Sequence, residues 1–187
     1  MKKFELTAES KINIFGKKIF RIKALISFGD VEEGETGGWI EKEENLEQSS
    51  GNAWVYGDAE VYGNAEVYGN ARVYGNAWVS GNARVSGDAE VSGNAWVYGN
   101  AEVSGNAEVS GNADYTTIHG FGTQFRTTTF FQCEDKQIRV SCGCFLGTIP
   151  EFREQVKNTR EGKIAEEYLM IADLMEKHFV KEKESGE

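Results

Sequence analysis

From Ala53 to Val109 the chain alternates small or aliphatic positions with polar or aromatic ones on a beat of six. The unit is Gly-Asn/Asp-Ala-x-Val-Tyr/Ser. Ala and Val stand two apart, so in an extended strand they share one face, while the residues between and after them face the other way. Gly-Asn then supplies a corner, because both residues tolerate the left-handed backbone that a sharp turn needs. A helix would scatter the valines around its surface. A sheet of hairpins would reverse polarity at each corner, and no reversal occurs. Each hexapeptide is therefore one short strand and one corner. Three of them make a triangular coil of 18 residues, and residues 51–114 supply about three and a half coils, a prism of roughly 17 Å at ~4.8 Å per coil.

The flanks have other patterns. Residues 1–50 are rich in β-formers (Ile12, Ile14, Ile19, Phe20, Ile22, Leu25, Ile26), with Gly16-Lys17 as a hairpin turn and an acidic run from Glu41 to Glu47. This segment reads as an N-terminal β cap, since an open coil end exposes strand edges and apolar core. Residues 115–187 read as a small α+β unit, a β-hairpin plus two helices. Its strands are predicted over 124–132 and 137–145 around a turn at Asp135-Lys136. Thr148 and Glu151 form a capping box with Pro150 just inside the helix start. That helix ends near Asn158, and a second follows Gly162 to about Lys181. Its stripe Ile164, Tyr168, Ile171, Ala172, Met175, Phe179 is spaced to pack on the hairpin.

Residues 18 apart should lie above one another on a wall. The outward columns then read Glu66-Arg84-Glu102, Trp54-Arg72-Glu90-Glu108 and Glu60-Trp78-Trp96-Asp114, with Tyr56 over Tyr74. Opposite charges and like aromatics as neighbours are what cross-strand pairing favours, and the second column offers a cation–π contact between Trp54 and Arg72. Trp54, Trp78, Trp96, Tyr56 and Tyr74 are the candidate oligomer interface, since apolar patches of that size mark contacts.

Composition sharpens this. There are 22 glycines and one proline, and eleven of the glycines fall on the sixfold beat. Four Trp, seven Tyr and eleven Phe exclude a flexible linker, and the glycine period excludes collagen. Twenty basic against thirty acidic residues give a net charge of −10, which argues against broad nucleic-acid binding through phosphates. Three cysteines, an odd number, suit free thiols in a reducing compartment. No stretch approaches the ~20 apolar residues of a membrane span, and no apolar leader follows Lys2-Lys3, so a cytoplasmic location is expected, that of the host cell for a phage protein.

The run Val61-Tyr62-Gly63-Asn64-Ala65, an aliphatic residue followed four places on by a small one, resembles the motif of the hexapeptide-repeat, left-handed β-helix family. Gly37-Gly38-Trp39-Ile40 and Glu44-Asn45-Leu46, leading into Gly-Asn-Ala-Trp-Val-Tyr-Gly-Asp-Ala, look like bacterial and prophage members of it, often labelled transferases or polymer-forming proteins on fold alone. The resemblance implies a mainly β chain whose coils form a left-handed parallel β-helix, and it implies a homotrimer or higher homo-oligomer. Fold alone does not fix function.

Acyltransferases of that family generally use a histidine on or beside the coils, yet His119 and His178 both lie outside the repeat. No loop interrupts the register to form a cleft. No catalytic residue, metal or cofactor is therefore expected, with His119 at the prism end as the reserve for an acyltransferase. Cys142-Gly143-Cys144 with Cys133 and His119 could suggest zinc. The expected register, Cys133 opposite Ile138 and Cys142 opposite Thr129, separates the thiols by ~13 Å and puts all three cysteines on one apolar face. The other face would gather Arg126, Thr128, Phe130, Gln132, Arg139 and Ser141. Two arginines, hydroxyls and an aromatic can hold a planar anion, so Arg126, Thr128, Phe130, Arg139, Ser141 and His119 form the candidate ligand set. The expected function is a non-catalytic, phage-type oligomer holding a small anion, with capture of a host nucleotide signal in an anti-defence role as one specific form. The alternatives are a hexapeptide acyltransferase and a structural scaffold.

Overall fold

A computed structural model describes residues 2–179. Ten two-residue strands follow the beat: β4 (Trp54–Val55), β5 (Glu60–Val61), β6 (Glu66–Val67), β7 (Arg72–Val73), β8 (Trp78–Val79), β9 (Arg84–Val85), β10 (Glu90–Val91), β11 (Trp96–Val97), β12 (Glu102–Val103) and β13 (Glu108–Val109). Strands 18 residues apart pair in parallel, giving three walls of a parallel β-solenoid of about four turns. Every repeat Ala and Val from Ala53 to Val109 is buried. Enclosing a valine contributes roughly 1.5–3 kcal/mol, so this ladder holds the coils together.

The corner chemistry divides more finely than expected. Glycine alone takes the left-handed backbone, as at Gly63 (φ +73°). The asparagine beside it bonds upward instead. The side-chain amide of Asn64 donates to Asn82 (3.2 Å) and that of Asn82 to Asn100 (3.0 Å), while Asn52, Asn70 and Asp88 form a second ladder. The backbone adds its own bonds, such as Asn64 N–H to the Gly81 carbonyl at 2.7 Å.

The N-terminal segment both caps the solenoid and enters it. β1 (Phe4–Ile12) and β2 (Lys18–Ala24) form the expected hairpin, and β2 pairs with β3 (Thr36–Ile40). β3 in turn lies parallel to β5, so coil geometry begins before residue 51. This first coil is irregular. Trp39 pairs with Glu60 and Leu46 bridges Val67, each 21 residues on, whereas Trp54 pairs with Arg72 at 18. The three surplus residues lie between Leu46 and Trp54. The acidic run has a structural task here: Glu41 accepts from Gly63 N–H (2.7 Å) and Glu47 from Gly69 N–H (3.2 Å), filling corner donors.

At the other end stands a four-stranded antiparallel sheet, where a two-stranded hairpin was expected: β14 (Tyr115–Phe121), β15 (Arg126–Gln132), β16 (Ile138–Cys142) and β17 (Phe145–Thr148) in that order. The predicted capping box on Thr148 and Glu151 is present at the start of α1 (Ile149–Thr159). The stripe on α2 (Gly162–His178) packs on Phe130 and Val140 as predicted. Its predicted end at Lys181 lies outside the described residues. The other sheet face lies on the last coil, where Tyr115, Phe131 and Cys133 join the solenoid core. Among the described residues, no helix is long and apolar enough to cross a membrane.

Candidate functional site

The expected hairpin register is one residue out. Thr128 faces Cys142, Phe130 faces Val140 and Phe131 faces Arg139, with Cys133 opposite Gln137 across the turn. A shift of one residue exchanges faces, so the candidate ligand set is divided. Arg126, Thr128 and Phe130 face the helices, while Arg139 and Ser141 face the solenoid side. Phe130 is wholly buried, edge-on to Phe152 at 6.2 Å, and is no stacking platform. Arg139 pairs with Asp135 at 2.7 Å. Ser141 is buried and donates to Glu102 at 3.1 Å. Thr128 is buried with its hydroxyl on the Cys142 sulfur. His119 is exposed on β14, 3.3 Å from the Thr127 hydroxyl.

The cysteines separate too. Cys133 is buried, and its burial pushes the thiol up to about 11. Cys142 is half-buried and Cys144 exposed, contrary to one shared apolar face. Among the described residues, no three His, Cys, Asp or Glu side chains gather as a metal site.

What remains of the predicted site is Arg126, and the fold gives it a companion that sequence spacing did not. Arg126 at the start of β15 and Arg160 at the C-cap of α1 border one cleft of about 90 Å³, with Gln155, Thr159, Tyr168, Cys142 and Cys144. Arg21, Arg72, Arg84, Arg139 and Arg153 each pair with a carboxylate. Arg126 and Arg160 are the two arginines that, among the described residues, pair with none. Both lack a carboxylate partner in an otherwise acidic protein, although Arg160 donates one bond to the Thr159 carbonyl at 3.0 Å. Arg160 was beyond a hairpin-only reading because a helix delivers it.

Of two larger clefts, the first carries none of the predicted site and the second carries Ser141. One of about 480 Å³ between the sheet and Phe179 takes in Gln132, Ile138, Ile149 and Pro150. Another of about 290 Å³ lies between the solenoid wall and β17, where Arg84 is tied to Glu66.

The candidate interface is also redistributed. Trp54 is fully buried inside its own chain beneath Phe4 and Phe28, and Arg72 turns to Asp30 and Glu90 instead. Tyr56 is half-buried, and Tyr74 donates to Glu90 at 2.9 Å on that same wall. Trp78 and Trp96 do stack, edge-on at 5.9 Å, on a different wall. The tip of the β1–β2 hairpin lies over them, with Phe15 5.4–5.8 Å from Tyr62, Trp78 and Trp96. Ile12, Ile14, Phe15 and Tyr98 form the exposed apolar rim. The expected column partner Asp114 leaves the wall and accepts from Ser110 and Gly111.

A family model described as YdcK beta solenoid repeat matches residues 65–81, 77–93 and 83–99. Over this central part of the coils the chain is similar to that repeat, which agrees with the parallel β-solenoid seen here. No curated protein matches the chain.

Proposed function

We propose that the protein is a non-catalytic, oligomeric binding protein for a small anionic ligand. The observation that carries this reading is the convergence of Arg126 and Arg160, the two carboxylate-free arginines, on one cleft. Arginine forks phosphate or carboxylate in two parallel hydrogen bonds. The cleft is small, which suits one phosphate or carboxylate group with the rest of the molecule outside. A phosphomonoester is the favoured class. The narrower idea of a host nucleotide captured by a phage-type left-handed trimer keeps the phosphate handle but has no base-stacking Phe130.

Thermal unfolding with inorganic phosphate and a panel of phosphomonoesters tests this. Saturating ligand at a hundredfold its Kd stabilises by about 2.7 kcal/mol. Arg126→Gln with Arg160→Gln abolishes the shift, while Arg139→Gln, whose partner is Asp135, leaves it. No shift with any anion, or a shift indifferent to Arg126 and Arg160, overturns the reading.

A further inference from the structure

Cys142 ends β16, Gly143-Cys144 makes the turn into β17, and both cysteines line the arginine cleft. We propose that this pair is a thiol–disulfide exchange site for anionic low-molecular-weight disulfides. The proposal rests on the anion-binding reading of the same cleft, which supplies the preference for negative charge.

Three observations support it. Gly143 has φ +64°, so the chain folds back between the two cysteines. A disulfide needs Cα atoms within roughly 4.4–6.8 Å, a span that residues on either side of one turn glycine can reach. Cys144 is exposed and Cys142 half-buried, with the Cys142 sulfur accepting from Thr128 at 3.2 Å. Finally, the Arg126 guanidinium lies so close over Gly143 that a Cβ there would collide with it. A positive charge thus stands beside the Cys142–Cys144 turn, where it draws an anionic disulfide toward the thiols.

The chemistry balances with the disulfide as oxidant. Cys144 gives its proton to solvent, and its sulfur attacks one sulfur of R–S–S–R. The S–S bond breaks, and R–S⁻ leaves and takes up a proton. Cys142 then loses its proton and attacks the Cys144 sulfur, forming Cys142–Cys144 and expelling the second R–S⁻. Two electrons pass from the protein to the disulfide, which ends as two thiols. A dithiol reductant reverses the sequence.

The test treats the full-length protein with oxidised glutathione, net negative, or with cystamine, net positive, and follows intact mass and peptide maps after native alkylation. Expected is loss of two hydrogens located at Cys142–Cys144, several-fold faster with glutathione disulfide, while buried Cys133 stays reduced. Cys142→Ser should stop at a glutathione adduct on Cys144, and Arg126→Gln with Arg160→Gln should erase the preference for the anionic reagent. If neither reagent gives the Cys142–Cys144 bond, or if both react equally fast, the proposal is overturned. The phosphate shift, measured separately, says whether the anion-binding reading falls with it.

Discussion

Gly87 and Gly57 occupy equivalent corners with similar backbone angles, φ +69° and +58°, yet their surroundings differ. A Cβ on Gly87 would come 2.8 Å from the Gly105 nitrogen in the coil above, whereas one on Gly57 meets nothing within 4 Å. The same substitution therefore separates two costs. Gly57→Ala should lose only the left-handed backbone preference, about 1–2 kcal/mol in urea unfolding. Gly87→Ala adds a collision with backbone that cannot turn aside, for a total of roughly 2–4 kcal/mol. Equal losses would mean that the coils separate freely at the corner. The backbone demand was legible in the glycine beat. The asparagine ladders were not, because they run between residues 18 apart through side chains that sequence reads only as turn formers.

At the level of elements, the end sheet shows where sequence reading stops. The solenoid has one register, because its Ala-Val faces and glycine corners agree at every step. In β15 the residues Thr127, Thr128, Thr129, Phe130 and Phe131 suit either face, and the turn at Glu134–Lys136 fits two registers. Packing decides: Phe130 goes to the helices and Phe131 to the solenoid core. That choice scattered the predicted ligand set and left Arg126 to meet Arg160. It also buries two weak acids at the junction. Burial raises Cys133 from 9.0 to about 11 and Tyr115 from 10.0 to about 12. The folded protein holds both protons after the unfolded chain has released them. Their stabilisation is thus complete below pH about 9 and is lost as pH climbs through about 9 to 12. Unfolding free energy measured from pH 8 to 11 should decline, and Cys133→Ala should flatten that decline by up to about 1.4 kcal/mol per pH unit. An unchanged slope would contradict the assignment to Cys133.

For the whole molecule, the exposed apolar surface lies on one wall of the solenoid, under the hairpin tip. The hairpin tip presents Ile12 and Ile14 at 65% and 76% exposure beside Phe15 and the paired tryptophans. Ile12 and Ile14 are the most exposed of these, while Phe15 packs on Tyr62, Trp78 and Trp96, so Ile12→Asp with Ile14→Asp should keep the β spectrum. If the proposed oligomer is built on this patch, sedimentation velocity should show the pair reducing it to monomer. A variant that sediments like the parent would move the interface elsewhere.

The 18-residue coil has a consequence for how such a chain can change length. Adding or removing one full coil leaves every wall facing as before and only changes the distance between the hairpin tip and the arginine cleft. Adding a single hexapeptide turns one end about the axis by a third of a revolution relative to the other. The repeat therefore acts as a dial as well as a spacer, setting the angle between the apolar patch and the cleft in steps of a third of a turn. The three surplus residues between Leu46 and Trp54 do not advance that dial, because they loop out before the regular beat begins.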